Sequence, residues 1–231
     1  MQAKDQYGSL EPAAFRLHPS IVRWAFTRFY HEFSWTYDAV AAAVSAGQWS
    51  SWTLAALPLL DGRVLELGCG TGNLQRALLG RPEHHAVGID RSRQMLRLAR
   101  RKSITPLACA SAQALPFRSS SFDSLVATFP SEYIIAPATL VEARRVLRPG
   151  GQLVVVLGAT YRSGTFYRRV VDLLYRLTLQ RPVLADQSQA LAPASPITTR
   201  LAAAGFTVGE QLRPDQAQSA DLHIITAILP E

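Results

Sequence analysis

The stretch Val64-Leu65-Glu66-Leu67-Gly68-Cys69-Gly70-Thr71-Gly72-Asn73-Leu74 constrains this chain more than any other. Val64, Leu65 and Leu67 form the short apolar run of a parallel strand covered on both faces. Gly68, Gly70 and Gly72 then occupy every second position, where side chains would hold a ligand away from the backbone. Helical spacing resumes at Leu74, Ala77, Leu78 and Leu79, so the turn opens a helix with its backbone N–H groups free. Such a terminus suits a carboxylate or a phosphate.

Spacing decides between the ligands that use this plan. The dinucleotide pattern G-x-G-x-x-G needs a third glycine at position 73, where Asn73 stands, which disfavours an NAD-dependent dehydrogenase. The form present, E-x-G-x-G-x-G from Glu66 to Gly72, resembles that of class I S-adenosylmethionine (SAM) methyltransferases. Further matches to that family are Ala112 with Leu115-Pro116-Phe117, and the run from Leu147-Arg148-Pro149-Gly150-Gly151 to Val156. Tyr37-Asp38 ahead of a helix is similar to the entry segment of the ubiquinone/menaquinone-biosynthesis methyltransferases. The resemblance covers about residues 60–160 in detail. It implies a Rossmann-like α/β fold: a doubly wound sheet of seven strands in the order 3-2-1-4-5-7-6, the last antiparallel.

A chain of 231 residues, 48% apolar and 18% charged, holds one sizeable domain with a short appendage. Residues 1–60 read as an N-terminal arm and a helical cap containing all four tryptophans, Trp24, Trp35, Trp49 and Trp52. Residues 61–231 read as the SAM-binding domain, with 161–196 an inserted helix and loop over the active site. A cap this aromatic packs onto the core and also suits the roof of a pocket for a flat or greasy substrate.

The net charge of +7 is carried almost wholly by arginine, since Lys4 and Lys102 are the only lysines. It reads either as a compositional bias or as a match to an anionic partner. Phe166, Val170, Leu173, Leu174 and Leu177 share one helical face, opposite Arg168, Arg169, Asp172 and Arg176. The segment 162–181 is thus either a packed amphipathic helix or a basic one contacting an anionic membrane. Cys69 and Cys109 are too few for a disulfide framework and lack metal-ligand spacing. With no signal-peptide core and no apolar run of about 18 residues, a cytoplasmic, at most membrane-peripheral protein is expected.

Asp90 ends the second apolar strand, 18 residues after Gly72, and faces the same crevice as the glycine turn. Its carboxylate suits paired ribose hydroxyls and can equally cap the next helix. The resemblance implies further roles. Glu66 and the backbone of Gly68, Cys69, Gly70 and Gly72 would hold the methionine end, and Asp90 the ribose. Arg91, Met95, Ala112 and Gln113 would flank the adenine, Thr128 would lie beside the methyl, and Tyr37 near the cofactor. Ser111 replaces the aspartate that the family places against the adenine amino group, so weaker cofactor affinity is expected.

No catalytic dyad is visible; Glu132 and Tyr133 past strand four, with His31 and His223, are the candidates for orienting or deprotonating a substrate. The leading reading is methyl transfer to a small apolar or lipid-like acceptor, such as a quinone precursor or phospholipid. The alternatives are a non-catalytic SAM-binding protein and a nucleic-acid methyltransferase. Against the latter, the chain shows no nucleic-acid module, and Thr128-Phe129-Pro130-Ser131 stands where amino-group methylases carry their signature. No metal and no nucleic-acid partner are expected.

Overall fold

The computed structural model describes residues 42, 45, 47–81, 83–102, 105–162 and 195–231. His31, Tyr37, the cap aromatics before Trp49 and the proposed helix beyond Arg162 lie outside the described residues.

Elements are numbered along the described chain. Helix α1 (Trp49–Leu54) and a 3-10 turn (Leu57–Leu59) precede β1 (Arg63–Leu67), α2 (Asn73–Leu78), β2 (His85–Asp90), α3 (Arg93–Lys102) and β3 (Leu107–Cys109). Then follow β4 (Phe122–Thr128), a second 3-10 turn (Glu132–Ile135), α4 (Pro137–Val146), β5 (Leu147–Tyr161), α5 (Pro196–Ala203), β6 (Thr207–Pro214) and β7 (Ala220–Ile228). One seven-stranded sheet has the order β3-β2-β1-β4-β5-β7-β6, the one expected from the glycine-turn family. Strands β1 to β5 are parallel, and β7 runs antiparallel to both β5 and β6. Strand β1 pairs with β2 on one side and β4 on the other, so the order reverses beside β1 and leaves a crevice at the strand ends.

Alternation along the strands sorts the core into two layers. Leu65, Leu67, Leu125, Ala127, Leu153 and Val155 face a layer closed by Leu140, Ala143 and Val146 of α4 and by Leu201 of α5. Val64, Val126, Val154 and Val156 face the other, closed by Trp52, Leu57, Leu74 and Leu78. The compact unit that holds the sheet spans Trp35–Glu231, and thus includes the 49–60 segment that the sequence assigns to the cap.

Strand β5 is the longest of the sheet, 15 residues from Leu147 to Tyr161. It begins at Leu147, opposite Phe122, and its register shifts before Ser124 meets Gln152. Arg148–Gly151 form that irregularity, where Gly150 has φ +75°. At its far end, Gly158–Tyr161 pair only with β7 and are half-buried, so no apolar run marks them in the sequence.

Trp52 ties α1 to the distant β6–β7 turn by donating its indole N–H to Asp215 Oδ2 at 3.0 Å. Asp215 also accepts the N–H of Ser219 (2.7 Å) and of Ala220 (3.2 Å) and the hydroxyl of Ser219 (2.8 Å). Burial opposes its charge, but the donors from Trp52, Ser219 and Ala220 outweigh it and hold the carboxyl below the usual range. Trp52→Phe removes one donor and keeps the ring. We expect a loss of about 1–2 kcal/mol, read as a lower urea midpoint with an unchanged slope. An unchanged midpoint would deny this bond a role in stability.

Candidate cofactor site

Beyond Leu67 the chain turns through Gly68, Gly70 and Gly72, all with positive φ (74°, 51° and 81°), and enters α2. Gly70 matters most. A Cβ there would meet nothing within 4 Å, so this backbone borders open space in which a ligand can lie. At Gly68 a Cβ would come 2.7 Å from Tyr133 Oη, a close approach only glycine permits.

Asp90 clips the turn in place. Its Oδ2 accepts the Gly70 N–H at 2.9 Å, and its Oδ1 accepts the Ser92 N–H at 2.7 Å. The Gly70 donor is therefore not free for an anion, as the sequence reading supposed; it is spent on the carboxylate at the end of the neighbouring strand. Burial raises the Asp90 pKa, against the two backbone donors that lower it. A carboxylate has about four acceptor positions, so two remain for a ligand. Lys102 braces the same turn by donating to Thr71 Oγ1 (3.1 Å) and Asn73 Oδ1 (3.0 Å).

Glu66 points into the site from β1 and is 2% exposed. Its Oε2 accepts from Gln75 Nε2 at 2.8 Å, and Gln75 Oε1 accepts from the Thr105 hydroxyl at 2.8 Å. Desolvation pushes the Glu66 pKa up to about 7, with the Gln75 bond pulling down and Asp90 adding repulsion. Among the described residues no cation pairs with it. A buried carboxylate of this kind, beside an open glycine turn, fits the ammonium end of an amino-acid ligand.

Tyr133 donates its hydroxyl to the Leu67 carbonyl at 2.8 Å. Burial, with Asp90, Glu66 and Cys69 nearby, raises its pKa above the usual phenol range. Its hydroxyl proton is engaged by the strand end. Burial likewise pushes the Cys69 thiol up, with Glu66 and Asp90 adding to it. His223 is buried in the β5–β7 ladder with Nε2 3.2 Å from Thr160 Oγ1 and lies apart from the recess. Glu132 is exposed on the turn after β4.

A recess joins Glu66, Gly68, Cys69, Gly70 and Thr128 of the expected set, with Asp90 bonded to its rim. Gly72 is buried behind it, where a Cβ would strike Ala99 at 2.9 Å. Met95 and Ala112 are buried, while Arg91 and Gln113 are exposed along the ends of β2 and β3. Ser111 Oγ accepts the Gln113 N–H at 3.2 Å, so its hydroxyl folds its own turn.

The sequence reading missed Gln75, Thr105, Thr53 and Phe129, and placed Trp49 in the aromatic cap offered as a pocket roof. Trp49 and Thr53 wall the recess. Phe129 has φ +50°, rare for an aromatic residue, with its ring centroid 4.3 Å from that of Trp49. Its N–H donates to Val156 O at 2.7 Å, which helps hold the strained backbone.

The methyltransferase-domain family matches residues 65–155. A demethylmenaquinone methyltransferase of Thermus thermophilus is 30% identical over 210 residues, covering 79% of this chain and 93% of that protein. Another, from Symbiobacterium thermophilum, is 33% identical over 132 residues, covering 51% of this chain and 53% of its own length. The chain thus spans about half the length of the first curated relatives it matches. A SAM-dependent methyltransferase from Thermotoga maritima has the same fold, with a TM-score of 0.59 at 19% identity, over 88% of this chain and 99% of that one. The glycine turn, the sheet order and these relatives agree: the chain belongs to the SAM-dependent methyltransferase family.

Proposed function

We propose that this protein transfers the methyl group of SAM to a small, flat, apolar acceptor of the quinone-precursor type. The observation that carries this is the aromatic wall on the cofactor recess, where Trp49 lies against the strained Phe129 just past Thr128. The names of its relatives support the acceptor class.

In this reading Glu66 holds the methionine ammonium, and the backbone of Gly68, Cys69, Gly70 and Gly72 passes beneath the methionine end. Asp90 takes the ribose hydroxyls, and Arg91, Met95, Ala112 and Gln113 border the adenine. Thr128 stands beside the reacting methyl. When bound, SAM supplies a methyl group already activated on sulfonium sulfur. The chain supplies placement and a dry wall of rings. Glu132 is the remaining carboxylate near the strand end that can take the acceptor's proton.

Calorimetric titration with SAM, S-adenosylhomocysteine and NAD tests the cofactor half. We expect the first two to bind with dissociation constants on the order of micromolar, and NAD not to bind. Incubation with labelled SAM and a panel of naphthohydroquinones, benzohydroquinones and phospholipids tests the acceptor half. Cofactor binding without transfer to any of them would favour a non-catalytic SAM-binding protein.

A further inference from the structure

A second cavity, of about 720 Å³, opens at the other end of the same strands. The first residues of β1, β2 and β4, Arg63, His85 and Phe122, line it. At roughly 3.3 Å per residue, Arg63 stands about 13 Å from the Leu67 end of β1 and its glycine turn. The volume falls within the range of ligand sites, about 300–1,000 Å³.

Its lining carries one sign of charge. Among the described residues, Arg63, Arg81, His84, His85 and Arg118 contribute to it, and no acidic side chain does. Among the described residues, no carboxylate pairs with the guanidinium of Arg63 or Arg118. Arg81 meets only Glu83, at 3.8 Å, and that carboxylate is 57% exposed. Between the charges the wall is apolar, with Leu79 and the edge-to-face rings of Phe117 and Phe122.

His84 also lines the cavity; its side chain is 5% exposed and its Nε2 lies 4.0 Å from Glu83 Oε1, while its Nδ1 is enclosed by protein without a hydrogen-bond partner. Apolar wall and guanidinium groups without a carboxylate partner together describe an amphipathic guest.

We propose that this cavity binds a small amphipathic anion, its phosphate or carboxylate group held by Arg63 and Arg118 and its apolar body against Leu79 and Phe117. The site is separate from the methyl-transfer crevice and does not depend on the reading given for that crevice.

Calorimetry of the full chain with octyl phosphate tests the proposal, with inorganic phosphate and octanol as its two halves and phosphatidylglycerol vesicles as the lipid source. Octyl phosphate is expected to bind one to one, at least about tenfold more tightly than either half, and more weakly at high salt. Arg63→Gln and Arg118→Gln, both at exposed positions that leave the core intact, should each weaken it about fivefold or more. The His84 ring resonances should shift on binding, and S-adenosylhomocysteine should leave the affinity unchanged. Vesicle binding lost in the same two variants would support the proposal with a lipid headgroup as the source; octyl phosphate binding without vesicle binding would support it with a free metabolite. Equal affinity for octanol, displacement by S-adenosylhomocysteine, indifference to both arginine variants, or binding to vesicles alone would each overturn it.

Discussion

Glu66→Gln is expected to raise the thermal midpoint of the ligand-free protein at pH 8 while removing most of its affinity for SAM. The two effects have one cause. In the fold the Glu66 pKa lies near 7, against 4.5 for an ordinary glutamate, mainly because burial disfavours its charge. The folded state therefore holds this proton more tightly than the unfolded chain does. The stabilising contribution is full below about pH 4.5, declines above it, and is lost as pH rises through 7. At pH 8 the buried anion costs up to about 3 kcal/mol, and glutamine, which keeps an acceptor for Gln75, does not incur it. A chain of this size should gain roughly 2–4 °C per kcal/mol recovered. A ligand ammonium beside Glu66 needs the anion. Its loss should weaken SAM by about 2–3 kcal/mol, some 30- to 150-fold. In the wild type the affinity should improve as pH rises from 6 to 7 and level off above. Melting curves and titrations between pH 5 and 8 read both effects. A variant no more stable than wild type at pH 8 would show that Glu66 is not a strained anion.

At Asp90 both effects have the same sign. Asp90→Ala leaves the N–H groups of Gly70 and Ser92 without their acceptors and frees the glycine turn from the end of β2. A loss of about 2–4 kcal/mol in stability is expected. SAM affinity should fall 100-fold or more, because the turn geometry and the proposed ribose contact go together. Asp90→Asn keeps one acceptor and should fall between. If Asp90→Ala weakened SAM with the urea midpoint unchanged, the residue would be a ligand contact only, and the clip would carry no weight.

The glycine turn was legible because it is local: strand, turn and helix lie within a few residues, and glycine adopts the φ values of +74°, +51° and +81° there without the strain a side chain brings. The sheet order followed from that turn and the family it resembles. Asp90 could be read as facing the crevice, but its bond to Gly70 spans 20 residues and has no sequence signature. Gln75 looked like any polar helix position between Leu74 and Leu78; its burial follows from Glu66 beneath it and Thr105 beyond. The left-handed Phe129 was invisible for the same reason, since no local preference places an aromatic residue there and its position is set by Trp49 and Val156. For Tyr133 the sequence offered a phenol near the site, and only the structure shows its hydroxyl donating to Leu67 O.

The Trp52–Asp215 bond has a kinetic consequence. It joins residues 163 positions apart, so it closes almost the whole sheet-forming part of the chain into one loop. Contacts of such separation form only after most of the chain entropy has been surrendered, behind local pairs such as β1 with β2. The indole N–H resonance of Trp52 is therefore a marker of completed folding. In a refolding experiment it should reach its native position last, after helical signal and burial of the β1–β2 core have already returned.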